Sequence, residues 1–226
     1  SGELKFMKFL RRLFWICVFI GGVFPLAIIL FYWVVPPLAT PLMFIRDAPI
    51  QYDFVALEDI SPNLVRAVLV SEDQRVCEHA GFDWKQLEIV WDELIYTGTA
   101  SRGASTISMQ TAKNLFLWPS RSKVRKVLEI PLTIMLETIL PKRRILEIYL
   151  NIAELGPGIY GAEAAAQAHF KGDAKNMTMR QASQLAAVLP NPLTRNAARP
   201  STNVQKRADK IMRNMRIAPA SLWSCV

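Results

Sequence analysis

Glu72, in the stretch SEDQRVCEHAG at 71–81, is the first side chain with the means to move a proton. Val65, Val68, Leu69 and Val76 share its helical stripe, so the carboxylate stands at the edge of an apolar face. Partial desolvation there raises a carboxyl pKa toward the range useful for a general base. By pattern alone, an exposed glutamate at a helix end is an equally good reading. Asp73 projects about 100° away and is expected in a different environment. Gln110, Lys113 and Asn114 form a second set, at i, i+3 and i+4 of one helical face behind Ser105 and Thr106. The preceding small, basic loop, Ser101 to Gly103, and the free N–H groups of that helix suit an anion such as a diphosphate. A third set is Arg121, Arg125 and Glu129, spaced by four, with Lys126 three before the glutamate. Guanidinium forks match phosphate oxygens, and Glu129 could orient them or hold a divalent cation. Taken singly, the second set also reads as a solvated polar face. The third also reads as a surface salt-bridge ladder worth about 0.3–0.5 kcal/mol per pair. Two histidines, His79 and His169, argue against a histidine triad or metal centre.

Helices must position these groups. Ser61 and Pro62 open one as N-cap and first helical residue. Apolar spacing predicts further helices at Asp83 to Tyr96, Ser105 to Leu117, Arg121 to Leu140, Lys142 to Leu155, Gly161 to Phe170, Thr178 to Leu189 and Ser201 to Ile217. Ser105 and Ser201 are expected caps, Thr178 with Gln181 reads as a capping box, and Pro131 should kink the longest helix. The domain reads as all-α.

The chain has 226 residues, enough for one anchor and one globular domain, and a formal charge of +8 that favours an anionic partner. Leu13 to Val35 carries no charge, a run of about 23 positions that rises roughly 34 Å as a helix. Lys5, Lys8, Arg11 and Arg12 precede it, so the positive-inside rule puts the N-terminus in the cytoplasm and the remainder outside. The expected organisation is a basic tail at 1–12, a transmembrane signal anchor at 13–35, an extended proline-punctuated linker at 36–51 and a globular domain at 52–226. Cys17, Cys77 and Cys225 show no metal-ligand spacing; Cys77 and Cys225 could pair in an oxidising compartment, but the sequence does not fix their distance and the working expectation is that they do not.

Together these stretches resemble the successive motifs of the family 51 peptidoglycan glycosyltransferases. They are SEDQRVCEHAG, GASTISMQTAKN at 103–114, RKVLE at 125–129 and RRILEIYLN at 143–151, continued by GIYGAEAAAQAHF and LAAVLPNP. The resemblance runs from about Leu57 to Arg199 and is nearest to the monofunctional biosynthetic transglycosylases. It departs from the family pattern at Val76, where an aromatic residue is usual, and at Met109. SRSK at 120–123 matches SxxK only formally, since no KTG follows.

The resemblance implies a lysozyme-like α-helical fold with a membrane-proximal jaw, and LFLW at 115–118 as a segment dipping toward lipid. It implies inverting transfer from a polyprenyl diphosphate donor to the 4-hydroxyl of lipid II, without transpeptidation. Glu72 would be the general base and Glu129 the aid to the departing diphosphate, with a divalent metal (Mg or Mn) as its expected cofactor and no organic one. Ser105, Gln110, Lys113, Asn114, Arg121 and Arg125 would hold the substrate. Expected partners are lipid II, the growing glycan strand, the membrane and other cell-wall proteins, with no nucleic acid; the expected site is the inner membrane, with a periplasmic domain. A glycan-cleaving muramidase or lytic transglycosylase and a non-enzymatic cell-wall adaptor are the competing readings.

Overall fold

The computed structural model describes residues 2–99, 103–120 and 122–226. An apolar helix opens the chain as α1 (Gly2–Val18), a π turn at Phe19–Val23 and α2 (Phe24–Phe31). Pro25 explains the π turn: it cannot donate to the carbonyl four residues back, and a widened turn through Gly21 and Gly22 accommodates its ring. Lys5 to Phe31 is long and apolar enough to cross a membrane. The helix runs on through the basic residues expected as a tail and ends at Phe31, four residues before the charge-free run does.

The stretch expected as an extended linker is folded. It holds α3 (Pro41–Ile45) and strand β1 (Gln51–Tyr52). Leu42 and Met43 are buried against Tyr160, and the Tyr52 hydroxyl donates to the Pro37 carbonyl. Proline at the first helical position starts α3 here rather than breaking a helix.

The remaining helices are α4 (Pro62–Glu72), α5 (Trp84–Thr97), α6 (Ile107–Phe116), α7 (Lys123–Ile139), α8 (Lys142–Ile152), α9 (Ala162–Phe170), α10 (Met179–Val188) and α11 (Thr202–Ile217). Ser61, Ser201 and the Thr178–Gln181 box cap as the sequence predicts, and α7 contains Pro131. Ser105 is not a cap. Thr106 takes that place, accepting from the Met109 N–H at 3.2 Å. α8 and α10 form the centre, each with an almost wholly buried run, Ile148 to Ile152 and Ala182 to Val188. Alanines 182, 186 and 187 let α10 lie close to α4 and α11, while α6 packs on α7 and α8.

A small sheet departs from an all-α chain. Its order is β1-β3-β2, with β2 (Glu154–Gly156) antiparallel and β1 parallel to β3 (Ile159–Tyr160). Buried Asn151 pins the entering segment to α8: its Oδ1 accepts from the Val55 N–H and its Nδ2 donates to the Val55 carbonyl, both at 2.9 Å. Gly161 joins β3 to α9 at φ +83°, where a Cβ would sit 2.2 Å from the Asn151 carbonyl oxygen.

Cys77 and Cys225 form a disulfide, against the expectation that they stay apart. Short 3-10 turns at Val76–Glu78 and Ala220–Trp223 bring residues 148 apart in sequence to a Cα separation of 5.5 Å. Arg66 stacks 4.7 Å above the Trp223 ring beside them.

Beyond the N-terminal helix, α5 and α7 carry the longest sets of exposed apolar residues among the described residues. On α5 these residues are Trp84, Ile89, Trp91, Leu94, Ile95 and Tyr96; on α7 they are Val124, Val127, Leu128, Ile130 and Ile134. Leu115 and Leu117 of LFLW are instead buried, and only Trp118 of that segment is clearly exposed.

Candidate active site

Glu72 closes α4 and faces a cleft of about 440 Å³ lined also by Asp73, Arg75, Asp83, Ser105, Thr106, Gln110 and Arg207. Because α4 stops there, Val76 lies in the following 3-10 turn and does not continue the Glu72 stripe. Burial pushes the Glu72 carboxyl above its ordinary range; Gln110 and the Arg207 guanidinium pull the other way. Gln110 Nε2 donates to Glu72 Oε2 at 3.2 Å, and Arg207 Nη2 lies 3.4 Å from Oε1. The Tyr149 hydroxyl donates to Gln110 Oε1 at 3.1 Å, which fixes the amide so that its NH₂ faces the carboxylate. Complete burial holds Tyr149 well above the usual phenol range, so it serves as a neutral donor.

Asp73 shares this environment, contrary to the helical projection. The chain leaves helical geometry at Asp73 (φ −156°, ψ 77°) and turns the side chain inward. Its Oδ2 accepts from the Ile107 N–H at 3.0 Å, and His79 Nε2 lies 3.0 Å from Oδ1. The carboxylate thus caps the start of α6 and locks the helix that carries Gln110. Thr106 adds a second tie, donating to the Gly81 carbonyl at 2.6 Å.

On the far side of Gln110 is a second cavity of about 290 Å³, lined by Arg46, Lys113, Asn114, Arg125, Tyr149 and Glu154 among others. Desolvation, then the neighbouring Arg125, lowers the Lys113 pKa. Asn114 is buried and Lys113 half-buried, so α6 does not present a solvated polar face here. Arg46 grips one Glu154 oxygen through Nε and Nη2, at 3.1 and 3.0 Å.

Glu129 is 2% exposed, which rules out a surface ladder. One of its oxygens accepts from Arg125 and the other from Lys126 at 2.8 Å; Lys126 also donates to Ser105 Oγ at 2.9 Å. Desolvation with Arg125 and Lys113 nearby pushes Lys126 down to about 8. Its contact with the Glu129 carboxylate and its half-exposed side chain favour the charged form. With both Glu129 oxygens taken, and no group of three His, Cys, Asp or Glu side chains placed to hold a metal ion among the described residues, this arrangement does not fit a divalent cation.

Of the residues expected at the site, Glu72 and Gln110 meet in one cleft, Lys113, Asn114 and Arg125 in the adjoining cavity, and Glu129 and Ser105 through Lys126. Arg121, with Ser101 and Arg102 of the expected anion loop, lies outside the described residues. The sequence reading missed Arg46, Tyr149, Glu154 and Arg207. Tyr149 could have been found: on α8 it falls in the apolar row with Ile145, pointed at the core, a place where a phenol needs a partner.

The transglycosylase family model matches residues 42–216. A protein of Rhizobium leguminosarum bv. trifolii named biosynthetic peptidoglycan transglycosylase is 50% identical over 197 residues, 84% of this chain and 83% of its own. Relatives of the same name from Agrobacterium fabrum and Bdellovibrio bacteriovorus are 52% identical over 173 residues (76% of each chain) and 48% identical over 206 residues (86% and 80%). A match spanning α3 to α11, carried by relatives identical at about half their positions, places this chain in the transglycosylase family.

Proposed function

We propose that this chain is a membrane-anchored glycosyltransferase that polymerises lipid II into peptidoglycan strands. The observation that carries the reading is the desolvated Glu72 carboxylate, held between Gln110 and Arg207 beside a cavity walled by cations. Glu72 takes the proton of the acceptor 4-hydroxyl as that oxygen attacks the anomeric carbon of the donor. The bond from that carbon to the diphosphate oxygen breaks on the opposite face, inverting the centre, and polyprenyl diphosphate departs.

Lys113, Asn114 and Arg125 hold the diphosphate and stabilise the charge that develops on it. Glu129 orients Arg125 and Lys126, and Lys126 reaches Ser105. A glycan-cleaving enzyme has no diphosphate to hold and no use for that cationic wall. The N-terminal helix is the anchor in the inner membrane, with the N-terminus cytoplasmic and the domain periplasmic; the apolar faces of α5 and α7 meet the lipid surface.

Radiolabelled lipid II with the full chain in detergent tests the reading. Glu72→Gln keeps the side-chain shape but accepts no proton, so polymer should fall roughly 100-fold or more. Wild-type turnover in a folded Glu72→Gln protein would overturn the assignment.

A further inference from the structure

Arg207 belongs to none of the motifs that mark the site, yet it makes the one ion pair that Glu72 has among the described residues. Helix α11 buries Val204, Ala208, Ile211 and Met215 against the core, and Arg207 leaves that face beside Ala208 to reach the C-terminal end of α4. Its Nη2 lies 3.4 Å from Glu72 Oε1, while its Nε is buried with no hydrogen-bond partner among the described residues. An arginine with a buried donor left over normally settles on a better partner. Here the guanidinium is held at the cleft wall with Glu72 as its single anionic contact among the described residues.

We infer that Arg207 is a positioning residue, whose guanidinium keeps the Glu72 carboxylate ionised and aimed into the cleft from the side opposite Gln110. The inference rests on Glu72 being the base. Among the other charged or titratable groups around Glu72, the Lys113 ammonium exerts a weaker pull than Arg207, and the rest are neutral, anionic or paired elsewhere. From the turn after α4, Asp73 is an anion bound to the Ile107 N–H and His79, and Arg75 pairs with Glu78 at 2.8 Å and Asp83 at 3.4 Å. Asp83, at the start of α5, is a second anion. From α6 come the neutral Gln110 amide and Lys113, which faces the neighbouring cavity; from α8 comes the neutral Tyr149.

The Gln110 amide, the Ser71 hydroxyl and the weaker pull of Lys113 hold a buried carboxylate ionised less well than they do with a guanidinium against it. Without Arg207, therefore, the base would stay protonated to a higher pH. The same cation also keeps Glu72 from becoming a strong base at rest, so substrate that displaces or shields the guanidinium would raise the basicity at the moment of transfer.

The test is the pH–rate profile of lipid II polymerisation by the full chain, for wild type, Arg207→Gln, Arg207→Lys and Glu72→Gln, with melting curves for each. Arg207→Gln should move the acid limb to higher pH, with about a tenfold loss below the limb for each pH unit moved and recovery above it. KM for lipid II should change little, and Arg207→Lys should restore most of the limb. A loss of equal factor at every pH, or a raised KM with the limb unmoved, would overturn the inference and make Arg207 a structural or substrate-binding residue. If Glu72→Gln is inactive in that case, the base assignment survives without Arg207; if Glu72→Gln is fully active, the base assignment itself fails.

Discussion

At the scale of single residues, the Arg125–Glu129–Lys126 cluster carries the sharpest prediction. Had Arg125 been solvated, its loss would have touched turnover alone. It is instead half-buried against a carboxylate that is 2% exposed, so truncation leaves that charge to Lys126 only. Arg125→Ala is therefore expected to lose both activity and stability, the latter by roughly 1–3 kcal/mol, because breaking one side of a buried pair is what destabilises. Removing both partners as Arg125→Met with Glu129→Leu should recover most of that stability and none of the activity. Denaturant unfolding beside polymerisation separates the two effects; a double variant as unstable as Arg125→Ala would mean that the pair contributes packing rather than charge. Arg125→Lys should stay folded and work poorly, since an ammonium satisfies Glu129 but has no fork for two phosphate oxygens. Gln110 with Lys113 on α6, and Arg125 with Glu129 on α7, were legible because each pair falls within one helix, where a 3.6-residue period fixes the face. Arg207 and Arg46 were not. They reach their partners across 135 and 108 positions, and no local period encodes that approach.

At the scale of elements, helix starts were readable at Ser61, Thr178 and Ser201, where a hydroxyl stands before the first turn, but not at Ser122, which caps α7. The misplacement at Ser105 has a physical cause: either of two adjacent hydroxyls can cap, and the Ser105 hydroxyl is drawn to Lys126. Strands of two or three residues show too few alternations to be read at all. Their consequence is local but strict. Gly161→Ala forces a side chain at positive φ into the Asn151 carbonyl, so a loss of roughly 2–4 kcal/mol is expected in thermal or urea unfolding. A variant within 0.5 kcal/mol of wild type would mean that the β3–α9 junction relaxes freely. The proline-rich stretch was taken for a spacer because proline excludes regular hydrogen bonding, but α3 nonetheless buries Leu42 and Met43. Chains beginning at residue 37 and at residue 47 should therefore behave differently. The first keeps α3 and Arg46. The second strips the cavity of that cation and leaves Glu154 buried without its ion-pair partner, so it should melt lower and polymerise more weakly. Equal melting temperatures for the two would show α3 to be dispensable to the fold.

Across the whole molecule, the Cys77–Cys225 bond ties the turn after Glu72 to the end of the chain, closing a loop of 148 positions. Loop-closure entropy puts its contribution at about 2–5 kcal/mol. Cys77→Ser with Cys225→Ser should lower the melting temperature by that measure, and a change near zero would show that the unfolded chain gains little from release. Nothing in the spacing of three cysteines could have revealed this pairing, because it depends on two turns meeting after the core has formed. The junction between anchor and domain has a different kind of consequence. Ile29 of α2 is fully buried in the domain core, and Arg144 of α8 donates to the Tyr32 carbonyl at 2.8 Å. The anchor is therefore no leash. These contacts fix the end of α2 against the domain, so in the proposed topology the cleft is held at a set height above the bilayer. Each new precursor must drift sideways through the leaflet to reach it, and elongation would then slow with membrane viscosity even where the chemical step is unchanged.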